Sequence, residues 1–386
     1  LPHIRFLNPK DDHMLRLDLI QGKSFFQKPW VFSPASTLLR DGLGPHFNEK
    51  ACSSCHPGHG PAPMQDSFPK GMVIQMSLDH QKSHPLFGTQ LQTKAHPRLS
   101  PEAILRMDWQ AVSLTPNIQL RKPKVIFQPE LEKELKNSRL TLRRAPSVIG
   151  MGVIDAISNK SILANADPND SNHDGISGRV NSWTQGNTLV MGKFGWKATE
   201  STLRQQTAKA FVQDMGITNP LFPEEENPDF ETGVVEKNPD LDIDENGLGQ
   251  VVTYLKSLTW IKHEDYRSHA GFPIFQKMGC AACHLPQLED LSSTPLFSDL
   301  LLHDMGEGLQ DGKPDRAASG REWRTAPLWG LRRKLIYAEV YLHDGRAQNL
   351  KEAILWHGGE AKISQQKFLK ASLLDQSSLI IFLKSL

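Results

Sequence analysis

Two five-residue stretches carry the chemistry available to this chain: Cys52-Ser53-Ser54-Cys55-His56 and Cys280-Ala281-Ala282-Cys283-His284. Both read C-x-x-C-H, and together they use all four cysteines. Thiols at i and i+3 suit thioether formation with the two vinyl groups of a haem, and the adjacent histidine then reaches the iron from the proximal face. Zinc could also be held by two C-x-x-C pairs, and one pair alone could do thiol redox chemistry. Neither use requires a histidine directly after the second cysteine, and here it occurs twice. The expectation is two covalently bound c-type haems, with Cys52, Cys55, Cys280 and Cys283 as attachment points and His56 and His284 on the irons.

The elements that must position these motifs show a partial repeat. A phenylalanine, Phe47 or Phe275, stands five residues ahead of the first cysteine in each unit. This spacing predicts a short helix whose Phe packs on the porphyrin edge while the motif lines the next turns. Residues 1 to about 50 read as an irregular lead-in, and 57 to about 100 as loop. Pro101 and Pro129 predict helix starts for 101–111 and 129–139. Further helices are predicted at 201–215 (capped by Thr199 or Ser201), 250–258, 349–357 and 365–386. The expected fold is mainly α with long loops and no large sheet. Its expected domains are an N-terminal haem domain over 1–264 and a C-terminal one over 265–386.

The 386 residues suffice for two or three cores. Lys and Arg number 44 against 43 Asp and Glu, a balance that offers no electrostatic footprint for nucleic acid or an anionic membrane. No stretch approaches the ~18 apolar residues of a membrane span. The start, Leu1-Pro2-His3-Ile4, reads as a trimmed chain. Haem c attachment takes place outside the cytoplasm, so the expected location is the periplasm.

Asp170-x-Asn172-x-Asp174-Gly175 matches the opening half of a calcium loop, in which short oxygen side chains alternate before a glycine. Position 12 is Asn181 where a bidentate glutamate is usual. Metal-free Asx turns are the other reading.

Several segments resemble a family of di-haem c-type oxidoreductases of the thiol-oxidoreductase type. They are Asp41-Gly42-Leu43-Gly44-Pro45-His46-Phe47-Asn48 with the first motif, Asp174-Gly175-Ile176-Ser177-Gly178-Arg179, Phe194-Gly195-Trp196-Lys197-Ala198, Asp214-Met215-Gly216-Ile217-Thr218, Trp323 to Gly330, and Tyr341-Leu342-His343-Asp344-Gly345-Arg346. That family is similar to bacterial di-haem cytochrome c peroxidases and to the di-haem enzyme that matures a tryptophan-derived quinone. The resemblance implies two facing cytochrome c-like domains. It also implies a C-terminal electron-transfer haem whose sixth ligand falls at His357, with Met305 as the alternative. Trp196 matches a tryptophan between the haems. Asp214 falls near the glutamate that moves the peroxide proton, although Asp is shorter and Gln213 is one position away. Arg179, Arg324 and Arg346 are candidates for pairing with haem propionates.

The resulting expectation is a periplasmic, peroxidase-like oxidoreductase. Electrons arrive from a small donor protein, a cytochrome c or a cupredoxin, at the C-terminal haem and pass Trp196. Peroxide is reduced at the N-terminal haem. One alternative is an electron carrier or redox sensor with both irons six-coordinate, the second ligand to the first haem coming from His46, His59, His80, His84 or His96. Another is an oxidase or maturation enzyme acting on an organic or protein substrate.

Overall fold

The computed structural model describes residues 4–5, 13–226, 240–260, 265–291, 294–332 and 339–386. Its α-helices are α1 His13–Gln27, α2 Cys52–Cys55, α3 Pro129–Glu134, α4 Met151–Ala156, α5 Asn159–Leu163, α6 Leu203–Met215, α7 Glu245–Ser257, α8 Gly271–Lys277, α9 Leu350–Leu355, α10 Lys362–Lys370 and α11 Leu373–Ser385. Its strands are β1 Ile4–Arg5, β2 His46–Phe47, β3 Met72–Ser77, β4 Lys94–Ala95, β5 Arg106–Thr115, β6 Ile118–Ile126, β7 Arg139–Arg144, β8 Ser182–Gln185, β9 Thr188–Met191, β10 Thr259–Trp260, β11 Leu302–Asp304 and β12 Glu322–Arg324.

The fold is not mainly α. Helix accounts for 34% and strand for 18%, the strands forming several small antiparallel sheets. Among the described residues these are six pairs: β1–β10, β2–β4, β3–β7, β5–β6, β8–β9 and β11–β12. The expected helix over 101–111 is instead the start of a long hairpin, β5 pairing with β6 from Arg106↔Ile126 to Thr115↔Ile118. The tight Pro116-Asn117 connection lets two runs with Trp109, Val112, Val125 and Ile126 pair, and this pairing overrides the helix-start signal of Pro101. The helix predicted over 129–139 stops as α3 and one further 3-10 turn, because Arg139–Arg144 is drawn into a six-residue ladder with β3.

The lead-in is not irregular either. Helix α1 lies against α7, and Gly22 makes the approach possible: a Cβ there would stand 2.0 Å from the Gln250 carbonyl oxygen. Helix α6 has Thr202 as N-cap, one residue beyond the expected Ser201. Phe47 sits in β2 and not on a helix, whereas Phe275 is on α8 as expected. The two haem-type units therefore share their motif but not the element that precedes it.

Three apolar clusters organise the chain. The first gathers Phe25, Phe26 and Trp30 with α4, α6 and α7, and Cys52 packs against it. It also takes in Leu288, Leu296, Leu300 and Trp329. The second is built on α8, α9, α10 and α11 around Phe275, Phe368 and Phe382, with Cys280, Trp196 and Met305 at its edge. The third lies under β3 and β7. The β5–β6 hairpin reaches between clusters: Leu120 is buried in the second, while Val125 packs on the third.

Candidate functional site

Helix α2 is a single turn that ends in His56, whose N–H bonds back to the Cys52 carbonyl at 2.9 Å. The His56 ring is set from 90 residues away, its Nδ1 lying 2.7 Å from the Pro146 carbonyl oxygen. A carbonyl can only accept, so the proton is on Nδ1 and Nε2 carries the free lone pair. The second motif repeats this arrangement. His284 Nδ1 donates to the Phe297 carbonyl at 3.0 Å. His357 has it too, Nδ1 donating to Ala353 O at 2.7 Å. Burial lowers both His56 and His284 to about 4, against the opposing pull of their carbonyl hydrogen bonds. His357 lies near enough to His284 to add to that lowering. Burial pushes the thiols of Cys52 and Cys280 up to about 12, so both are neutral and free.

Asp214, near the end of α6, is tied through the backbone to the segment just before the first motif. Its carbonyl accepts from Asn48 N at 2.8 Å and Glu49 N at 3.3 Å, a few residues before Cys52. Its carboxylate accepts from Gln90 Nε2 at 2.8 Å. Burial lifts its pKa to about 6, the Gln90 hydrogen bond opposing and the Glu226 charge assisting. Asp214 in turn raises both Cys52 and Cys55, which places it beside the thiols of the first motif. Gln213 faces elsewhere, donating to Thr89 Oγ1 at 2.6 Å and to Glu226 Oε1 at 3.0 Å.

Trp196 donates its indole N–H to Arg144 O at 2.7 Å. Its ring stands 6.4 Å from that of His343, which lies flat on Trp323 at 3.7 Å. Lys197, fully buried, lies 4.6 Å from the Trp323 ring and is held by Asp311 at 2.7 Å. Met305 is half-buried at the edge of the second cluster, its carbonyl oxygen against Gly358 and thus beside His357.

Of the arginines proposed for propionates, Arg179 is committed to Glu322 through two contacts of 2.6 Å, and Arg346 to Asp344 at 2.6 and 2.9 Å. Among the described residues Arg324 hydrogen-bonds to carbonyls, Gly195 O at 3.0 Å and Thr325 O at 3.3 Å, with the Asp299 charge nearby. In the acidic loop, Asp170, Asn172 and Asp174 accept from the loop's own amides, Gly175, Asp174 and Ile176 respectively. Those at Asn172 and Asp174 are Asx turns, while Asp170 closes a wider loop onto Gly175. Of the histidines near the first motif, His59 bonds Tyr254 at 2.6 Å, His46 meets Glu102 at 3.4 Å, and His84 and His96 each accept a backbone N–H two residues on.

A buried triad beside the second motif was not legible in the sequence. His303 lies between Asp299 (2.8 Å) and Glu360 (2.7 Å), with Cys283 Sγ 3.7 Å from Nδ1. Burial opposes a charge there, but Asp299, Cys283 and Glu360 together hold the ring as an imidazolium, up to about 12. Cys283, Asp299 and His303 are spaced like metal ligands. With both ring nitrogens donating, however, His303 has no lone pair to give.

The sequence profile of a family described as "Di-haem oxidoreductase, putative peroxidase" matches residues 129–386, well over half of the chain. The chain belongs to the di-haem oxidoreductase family. The match begins after the first C-x-x-C-H motif and contains the second. Searches of curated proteins and of solved structures gave no match. The family implies two haems, and the residues of this di-haem oxidoreductase fit them: two C-x-x-C pairs of neutral thiols, each followed by a neutral imidazole with its Nε2 lone pair available. Among the described residues no helix is long and apolar enough to cross a membrane.

Proposed function

We propose that this di-haem oxidoreductase is peroxidase-like, with peroxide reduced at a haem held by Cys52, Cys55 and His56. Cys280, Cys283 and His284, with His357 as a further candidate ligand, would hold the second haem, whose redox chemistry would suit electron entry from a small donor protein in the periplasm. Bound at these positions, haem iron supplies the one-electron redox chemistry. The observation that carries the reading is Asp214: a residue whose backbone carbonyl accepts from Asn48 and Glu49 just before the first motif, and whose carboxyl is electrostatically adjacent to both of the motif's thiols and raised by burial to about 6. A group titrating near the working pH can both take up and return a proton as an O–O bond breaks. Gln90 orients it at 2.8 Å. Trp196 is the proposed electron relay, its indole N–H fixed on Arg144 O and its ring next to the His343–Trp323 stack. His357 is favoured over Met305 because its neutral ring is oriented like the two proximal histidines and lies near His284.

Low-temperature EPR and optical spectra of the purified protein, oxidised and half-reduced, are the test. A high-spin ferric signal in either state, with Asp214→Asn lowering peroxide turnover by about 10²–10⁴-fold, is the expected result. Two low-spin irons throughout half-reduction would replace this reading with that of an electron carrier or sensor.

A further inference from the structure

Arg144 is 4% exposed, and among the described residues it has no carboxylate partner. Its Nη1 donates to Val340 O at 3.0 Å, its Nη2 donates to Ala62 O, and its Nε is buried without a hydrogen bond. Neighbouring buried cations are satisfied differently: Arg143 by Asp311 and Asp315, Arg346 by Asp344, Lys197 by Asp311. A guanidinium removed from water and met only by carbonyls carries an uncompensated desolvation cost, and its planar fork matches a carboxylate.

The position of Arg144 indicates which carboxylate. It ends β7, and two residues later Pro146 supplies the carbonyl that orients His56. Its own N–H donates to His343 O at 2.6 Å, and its own carbonyl accepts the Trp196 indole N–H. Ala145, next in the chain, bonds Gly71 O, and Gly71 abuts the Cys55 backbone. Arg144 thus stands between the histidine of the first motif and the tryptophan-histidine cluster. We infer that Arg144 is the charge partner of a propionate on the haem held by Cys52, Cys55 and His56. It is a positioning residue that couples this haem's potential to the segment carrying Trp196. The inference rests on the di-haem reading above. It adds a residue that the motif spacing does not single out, in place of Arg179 and Arg346.

The test compares wild type, Arg144→Met and Arg144→Lys as loaded holoproteins, by pyridine haemochrome stoichiometry and spectroelectrochemistry. Removing the cation leaves a propionate charge that favours ferric iron, so one midpoint should fall and the other stay. At a fixed poise the oxidised-to-reduced ratio of that haem should rise about tenfold in Arg144→Met, which is about 59 mV for one electron. Arg144→Lys keeps the charge but loses the fork, and its shift should have the same sign and be smaller. If Arg144→Met does not accumulate as a folded chain, the Lys variant decides by that same one-haem shift. Two haems with both midpoints unchanged in the folded variants would overturn the assignment while leaving the di-haem reading in place. A wild type without two haems would overturn both.

Discussion

Asp214 holds the clearest consequence of burial for a single side chain. Its folded pKa of about 6 lies above the ordinary 3.8, so the folded chain binds this proton more tightly than the unfolded one. The stabilisation is therefore complete below about pH 4, declines as pH rises through 4–6, and is lost above about 6. Asp214→Asn should gain about 1–3 kcal/mol of stability at pH 7.5 relative to wild type and little at pH 4. Urea unfolding at the two pH values reads the difference. A variant that is more stable yet slower on peroxide would mark Asp214 as a residue kept for function. Equal stabilities at both pH values would show that the carboxyl is not forced into a desolvated place. Asp214 was reachable from the sequence only through a resemblance. Its partners Gln90 and Glu226 were not, because they are separated from it in the chain, Gln90 being placed by an isolated bridge to Gln75.

At the level of elements, the C-terminal end of α6 is what brings Asp214 to the first motif. Gly216 closes that helix at φ +65° and lies against Gly44, a Cβ on Gly216 standing 2.8 Å from the Gly44 Cα. Gly44 N also donates to Met215 O at 2.9 Å. Gly216→Ala has to adopt a left-handed backbone and push this contact apart, for a loss of about 1–3 kcal/mol. Thermal unfolding should show it. Peroxide turnover should fall further than stability does, because Asp214 moves with the cap; turnover unchanged at a temperature well below unfolding would mean the contact is only structural. Helix α6 itself was legible to within two residues, although its cap is Thr202 and not the expected Thr199 or Ser201. Strands β5 and β7 were not, because Pro101 and Pro129 are equally good loop residues and only pairing with β6 and β3 chose extension.

For the whole molecule, the two C-x-x-C-H units rest on different apolar clusters, the first beside α1 and α7 and the second beside α8 and α11. Haem attachment at one should therefore not require the other. Replacing Cys280 and Cys283 by Ser should halve the haem count per chain in the pyridine haemochrome assay and leave the first haem bound; loss of both would show a shared folding unit. The β5–β6 hairpin is the arm that crosses between clusters. Leu120→Ala should cost about 2–5 kcal/mol through the cavity it leaves in the second cluster. Calorimetry would locate that loss, and a transition no lower than wild type would show the arm to be dispensable.

The sequence by itself determined what a reactive group can be: spacing i, i+3, i+4 within one turn names the two C-x-x-C-H units without any tertiary contact. It also determined the helices whose caps and apolar faces lie within a few residues of each other. The tertiary structure decided which charges meet. It paired Arg179 with Glu322 and Arg346 with Asp344, and left Arg144 and Arg324 facing carbonyls. It enclosed His303 between two carboxylates that come from 4 and 57 residues away. It also turned expected loop and helix into paired strands. Electrostatic partners and strand pairs are both choices among many distant segments, and nothing local in the chain selects one. Covalent spacing is a local property, which is why the motifs could be read and the surroundings that tune them could not.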